Sequence, residues 1–352
     1  MLFRICVICV ICGLFFSCAA QAPPQPPRVE RPQAIKDLAV HQVGRTLEIS
    51  FTLPTLATDG ERLTKPIEAA VFRTLQGVTA VPLSRAAPWT TFSAADLARQ
   101  TRRGKLIQAI PLTLLEYRAG QSEVLRFTVC TLTRGFRRRA IESGDSNMVS
   151  LQLLDVSEPV TNLKIETTEH AVKLSWSAPT RTLSGRAISD LSGYQVYRSG
   201  NGKPGTYQLL GETQPPAFSN PNFQFGQTYF YKVRAVFSED GQTAESDDSI
   251  PAVITPRDVF PPAAPAGLTG LYTAGVVELI WNASSESDLA GYNVYRRGAA
   301  GEFRRLNTEL VPTPIFRDST TAPGGRYTYR ATAVDLSGNE SAPSQAVDVD
   351  AR

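Results

Sequence analysis

The chain reads as an all-β protein of three tandem antiparallel sandwiches, the first of them divergent. The strongest sign is an internal echo: Ser189-Asp-Leu-Ser-Gly-Tyr-Gln-Val-Tyr-Arg198 returns as Ser287-Asp-Leu-Ala-Gly-Tyr-Asn-Val-Tyr-Arg296. In the first copy Tyr194, Val196 and Arg198 alternate with Gln195 and Tyr197, a period of two that sends neighbouring side chains to opposite faces of a strand. Gly193 and Gly291 lie 98 residues apart, too far for a solenoid repeat and about the size of one small domain. Twenty-five prolines and 25 glycines spread along 352 residues supply the turns that many short strands need.

Composition bounds the function. With 42% apolar residues the chain can bury several cores, and its length suggests two or three domains. A formal charge of +3 lacks the dominant basic face of a general nucleic-acid binder and the acidic excess of a solvating shield.

Residues 1–18 are read as a processing signal. Arg4 supplies a positive start, Ile5 to Phe16 is an unbroken apolar run, and Ser17-Cys18-Ala19-Ala20 is a small-residue stretch suited to cleavage. The run is 12 residues long, whereas a membrane-spanning helix needs about 20. This segment resembles a bacterial lipoprotein signal, although Phe15 stands where that family usually carries Leu. The resemblance implies acylation of Cys18 and attachment to a membrane through lipid; secretion with cleavage after Ala19 or Ala20 is the alternative. Cys6, Cys9 and Cys12 lie inside the apolar run, which offers no folded frame for a metal. Cys130 sits in a strand pattern and reads as a small buried hydrophobe, so no internal disulfide is expected. Residues 19–34 form a proline-rich tether, an extended spacer of about 3.1 Å per residue.

Residues 157–256 and 257–352 follow one strand order. Val160 to Ile165, Val172 to Trp176, Tyr194 to Arg198 and Tyr229 to Ala235 in the first are answered by Gly267-Leu268, Val277 to Trp281, Tyr292 to Arg296 and Tyr327 to Ala333. These segments resemble fibronectin type III modules. The resembling features are Pro265 to Leu268, a Trp closing the second strand, the Tyr-x-Val-Tyr-Arg strand and the Tyr-x-Tyr strand. The resemblance implies seven-stranded immunoglobulin-like sandwiches, with Trp176, Tyr194, Trp281 and Tyr292 in the cores and Tyr229 and Tyr327 as tyrosine corners. Trp281 lies 105 residues after Trp176 but Tyr327 only 98 after Tyr229, so the earlier domain carries seven extra residues. They fall between Ala178 and Ile188, in a loop at one tip of the sandwich, where binding often resides.

Residues 35–156 are a poorer copy. Leu47 to Phe51, Ala69 to Arg73 and Leu125 to Val129 take strand positions, Phe51 stands in the Trp place, and the tyrosine corner is missing. The enlarged segment Leu75 to Leu106 holds Ser93-Ala-Ala-Asp96, a capping box for one short helix. Trp89 precedes it, read first as a plug over the sandwich edge and second as a partner anchor. Arg134, Arg137, Arg138 and Arg139 crowd the last hairpin, and 16 basic against 11 acidic residues from Lys36 to Asp155 make the domain positive. Trp89 and these four arginines are the candidate interaction residues; the arginines form either a solvated face or a contact for anionic lipid headgroups or an acidic envelope polymer.

No catalytic, metal or cofactor site emerges. The only histidines, His41 and His170, lie in different domains, and Gly202-Lys203 is followed by Pro204 where a phosphate loop needs Ser or Thr. Asp335-Leu-Ser-Gly-Asn339 carries the residues of a tight turn rather than a calcium loop. The expected function is that of a non-catalytic envelope lipoprotein, at the outer membrane or facing the periplasm. Its sandwiches would act as spacer and interaction surface for an envelope protein or an anionic polymer, with neither nucleic acid nor small-molecule substrate. The alternative is a secreted or surface carbohydrate-binding or adhesion protein, to which the outward Tyr197 and Tyr295 would contribute.

Overall fold

The computed structural model describes residues 28–75, 87–188, 191–239 and 241–352. The signal segment with Cys18, most of the tether, and part of the enlarged segment after Leu75 lie outside the described residues. The chain forms two compact units. One takes residues up to Val160 together with Pro179–Tyr194 and Arg234–Asp248; the other takes Thr161–Ala178, Gln195–Val233 and Ser249–Arg352.

The opening elements are β1 (Ala39–Val43), β2 (Thr46–Thr52), β3 (Glu68–Leu75), β4 (Thr90–Phe92), α1 (Ala94–Gln100), β5 (Lys105–Pro111), α2 (Leu114–Ser122), β6 (Leu125–Arg134), β7 (Ala140–Glu142) and β8 (Val149–Leu151). Antiparallel sheets β1-β2-β5 and β4-β3-β6-β7, with β8 also on β6, face each other. Alternation decides which side chains enter the space between: Leu47, Ile49 and Phe51 of β2 meet Val71, Leu106, Phe127 and Val129, all fully buried. Helix α1 begins at the expected box, with Ser93 Oγ accepting from the Asp96 N–H and the Asp96 carboxylate accepting from the Ser93 N–H. A second helix was not foreseen. Thr113 and Glu116 form an equivalent box at the start of α2, which turns Tyr117 into the core.

The next strands are β9 (Thr161–Thr167), β10 (Val172–Ser177), β11 (Gly193–Ser199), β12 (Gln208–Thr213), β13 (Ala217–Asn220), β14 (Tyr229–Glu239), β15 (Gln242–Glu245) and β16 (Ala252–Ile254). Strands β13-β10-β9 form one sheet, and β12-β11-β14 with β16 lie in another. The hairpin made by the end of β14 and β15 belongs to the first unit for a plain reason: β15 pairs in parallel with β1, Gln42 beside Ala244 and Val43 beside Glu245.

The last strands are β17 (Thr269–Thr273), β18 (Val276–Ile280), β19 (Leu289–Arg297), β20 (Arg304–Arg305), β21 (Ile315–Asp318), β22 (Arg326–Asp335) and β23 (Val347–Asp350). Three-stranded β17-β18-β21 and four-stranded β20-β19-β22-β23 make a seven-stranded antiparallel sandwich around Leu279, Trp281, Tyr292, Val294 and Tyr329.

Candidate functional site

The repeated motifs act on one another inside each sandwich. Trp176 and Trp281 are 7% and 3% exposed, Tyr194 is buried, and Trp281 packs edge-to-face on Tyr292 with ring centres 5.1 Å apart. The Tyr229 oxygen accepts the Gln224 N–H at 2.9 Å, and the Tyr327 oxygen accepts the Ala322 N–H at 2.9 Å, five residues upstream in both cases. The arginine that closes each Tyr-x-Val-Tyr-Arg strand covers that ring, Arg198 at 5.3 Å from Tyr229 and Arg296 at 5.0 Å from Tyr327. The second tyrosine of each Tyr-x-Tyr pair is the deeper one. Asn220 Nδ2 donates to the Tyr231 hydroxyl at 2.9 Å, and the Tyr329 hydroxyl donates to buried Asp318 at 2.9 Å. Burial alone would raise the Asp318 pKa, but hydrogen bonds from Thr320, Tyr329 and Arg296 hold it below the usual carboxylate value. These arrangements are structural.

Tyr197 and Tyr295 present half-buried rings that already carry cations. Lys232 lies 5.6 Å from the Tyr197 ring centre and 4.6 Å from Tyr207; Arg330 lies 5.3 Å from Tyr295 and 4.2 Å from Phe303. A cation over an aromatic face occupies the surface on which a sugar ring would stack. The Tyr295 hydroxyl is bound to Glu340 at 2.6 Å and that of Tyr197 to Gln195 at 2.7 Å.

The structure separates the five candidate interaction residues. Trp89 packs against Phe127 at 5.8 Å beside the core, and the Arg73 guanidinium lies over the indole 4.7 Å from its ring centre. Arg73 also pairs with Glu116 at 2.8 Å. Arg134 grips Glu68 with two hydrogen bonds of 2.9 and 2.6 Å. Arg137, Arg138 and Arg139 stand apart on a tight hairpin tip. Gly135 donates to the Arg139 carbonyl at 2.8 Å, and Arg137 and Arg138 take left-handed φ values of 54° and 60°. All three are exposed, and Phe136 between them and Gly135 is 85% exposed, its ring 5.3 Å from the Arg137 guanidinium. No carboxylate among the described residues pairs with Arg137, Arg138 or Arg139.

At the opposite end of β1 a charged cluster centred on buried Glu245 closes the β1–β15 junction. The Glu245 carboxylate, 7% exposed, takes hydrogen bonds from His41 at 2.9 Å and from Arg234 at 2.7 Å. Arg234 also pairs with Asp248. Burial would raise the Glu245 pKa, yet the bonds from His41 and Arg234 outweigh it and hold the group at about 2. Buried Gln42 adds a stitch, donating to the Leu154 carbonyl at 2.8 Å and accepting the Leu154 N–H at 2.8 Å. Gly44, at φ 56°, donates to the Glu245 carbonyl at 2.7 Å with the Asp247 carboxylate over its Cα.

Remaining chemistry is turn chemistry. His170 is exposed beside Glu169. The Asp335 carboxylate accepts from the Asn339 N–H and Nδ2, both at 2.8 Å, closing the turn through Gly338 at φ 88°. Asp258 and Asp288 each bring a carboxylate oxygen within 4.8 Å of it, but Asp258 is engaged by Phe260 N–H and Ser337 Oγ. Cys130 is buried against Ser143, and burial pushes its thiol pKa up.

No protein-family model matches the chain. Exoglucanase B of Cellulomonas fimi is 32% identical over 181 residues, 50% of this chain and 15% of that protein. Chitinase A1 of Niallia circulans is 40% identical over 99 residues, 27% of this chain and 13% of that protein. Amylopullulanase of Thermoanaerobacterium saccharolyticum is 35% identical over 86 residues, 24% of this chain and 6% of that protein. The chain therefore spans only a small part of the curated relatives it matches. Among solved structures, the FN1–FN3 domains of chicken CNTN1 align over 91% of this chain and 99% of theirs at 14% identity, with a TM-score of 0.27.

Proposed function

We propose that the protein is a non-catalytic cell-envelope lipoprotein, held to a membrane through Cys18, whose fibronectin type III-like sandwiches serve as spacer and protein-interaction surface. The observation that carries this is how the titratable groups are used. Glu68, Glu116, Glu245, Asp318 and His41 are held in ion pairs and caps of the sandwiches, and His170 stands exposed beside Glu169 on a turn, so among the described residues these groups serve the fold. The similarity to carbohydrate-active enzymes fits, because what is shared is a small share of each of those proteins, as an accessory module would be. Mass spectrometry of the mature N-terminus tests the anchor: a diacylated Cys18 is expected, and an unmodified terminus at Ala20 or Gln21 sinks it.

A second reading, carbohydrate binding on a sandwich face, is favoured by the names of those same relatives, an exoglucanase, a chitinase and an amylopullulanase. The cations over Tyr197 and Tyr295 weigh against it. Co-sedimentation with cellulose and chitin decides; no retention of the chain removes this reading.

A further inference from the structure

The exposed arginines stand at the end of the first unit where the N-terminal segment arrives. Strand register locates that end. Thr52 at the close of β2 pairs with Lys105 at the start of β5, and Glu68 at the start of β3 pairs with Leu132 near the close of β6. The loop from Leu53 to Ile67 joins β2 to β3, so the Arg102–Lys105 turn and the Gly135–Arg139 tip share one pole. The stretch read as the end of the tether is bound there too. Pro32 bridges Ala57, Arg28 pairs with Asp59, and buried Glu30 accepts from Thr64 and Lys65 while its carbonyl accepts the Thr133 hydroxyl at 2.6 Å. Three acids of the pole are thereby engaged, Asp59 by Arg28, Glu68 by Arg134 and Glu30 by the Thr64 hydroxyl and the Thr64 and Lys65 N–H groups, while Glu61 and Glu142 are exposed nearby. Arg137, Arg138 and Arg139 are exposed with no carboxylate partner among the described residues, beside Phe136, which is 85% exposed and of the three has only the Arg137 guanidinium over its ring.

We infer that this pole is a membrane-contact foot, with Arg137, Arg138 and Arg139 on anionic lipid headgroups and Phe136 entering the interfacial layer. Three features select a lipid surface over a soluble acidic partner. Exposed arginines that pair with no carboxylate among the described residues match a dense layer of phosphates, which attracts each basic residue placed near it. An aromatic ring at the apex of such a cluster has an apolar layer to enter at a membrane, which a soluble acidic polymer does not offer. Arg28 lies ten positions after Cys18, so a lipid on Cys18 places the pole within roughly 35 Å of the bilayer, the longest span ten such steps can reach. The inference rests on the lipoprotein reading for what brings the pole to a membrane, and on the hairpin alone for the chemistry of contact.

The test uses the full chain added to vesicles of phosphatidylcholine, alone or mixed with about an equal part of phosphatidylglycerol. At roughly fivefold per arginine, R137Q/R138Q/R139Q should bind the anionic vesicles on the order of a hundredfold more weakly, with a flatter salt dependence. Phe136→Trp should shift its emission to the blue with anionic vesicles and be quenched by brominated lipid. Equal binding by the arginine variant, or a Trp at position 136 that stays in water, overturns the inference. So does polyglutamate competing fully with vesicles without any shift of that Trp, which would mark the pole as a site for an acidic polymer. The mass of the N-terminal peptide is measured separately: a chain without lipid that still needs its arginines for anionic vesicles leaves the foot standing and the anchor refuted.

Discussion

Replacing Glu245 with glutamine removes one charge from the buried cluster at the β1–β15 junction while keeping the side chain's size. In the folded chain the carboxyl is held at about 2 against an ordinary value of 4.5, because bonds from His41 and Arg234 outweigh the burial that would raise it. The difference, at about 1.4 kcal/mol per pH unit, amounts to about 3 kcal/mol of stabilisation at neutral pH. Since the folded-state pKa is the lower one, this stabilisation is complete above 4.5 and is lost as pH falls toward about 2. Arg234 keeps Asp248 after the substitution, so the loss stays near the low end of that for breaking a buried pair, about 3 kcal/mol. Hydrogen exchange is the suitable assay, because a chain of several sandwiches need not unfold in one step and exchange reads the opening of β1 and β15 directly. E245Q should lower the protection of peptides covering Ala39–Val43 and Gln242–Glu245 by about two orders of magnitude at neutral pH. The gap from wild type should narrow as pH falls from 4.5. Loss below about 1 kcal/mol, or a gap that does not change with pH, refutes the assignment of this carboxylate as the ionised centre of the junction.

Two further substitutions follow from the same structure. Trp281→Ala empties a site packed against Tyr292 and should cost roughly 3 to 5 kcal/mol by calorimetry, since its indole N–H has no acceptor among the described residues and the loss is one of packing; a cost below about 1 kcal/mol would mean the strand register is wrong. Gly44→Ala places a Cβ at φ 56° against the Asp247 carboxylate and should destabilise the junction by roughly 1 to 3 kcal/mol, seen as faster exchange in β1 and β15; unchanged protection there would show that the close approach has no energetic weight.

Local pattern was legible where the interaction is local. Alternation placed Leu47 to Phe51, Val172 to Trp176 and Tyr327 to Ala333 on strands because the inward set is apolar and the outward set polar, and Ser93 with Asp96 marked α1. The same signal was present for α2 in Thr113 and Glu116, and Tyr231 and Tyr329 follow Tyr229 and Tyr327 by two residues, so their burial was available from the period alone. The β1–β15 pairing was not. His41 and Glu245 are separated by 204 positions, and nothing in either strand's composition names its partner. For the hairpin, the sequence shows four arginines, but only geometry shows that Arg134 is held by Glu68 while the other three are not.

The first unit departs from its template at both ends of its strands, and the two departures have opposite chemistry. At the β15 end Glu245 and Arg234 are largely covered and paired with each other and with the more exposed His41 and Asp248, so these charges serve cohesion. At the other end the neighbouring Arg137, Arg138 and Arg139 are exposed and pair with no carboxylate among the described residues, which contributes nothing to the stability of the unit and slightly opposes it through mutual repulsion. Left-handed φ at Arg137 and Arg138 adds to that cost, since these are conformations that glycine or asparagine would adopt more readily. A hairpin selected for stability alone would not place two arginines there beside an exposed phenylalanine. The arrangement is therefore better explained by something outside the chain that meets this pole. The arrival of the N-terminal segment at the same place makes a membrane surface the partner to test first.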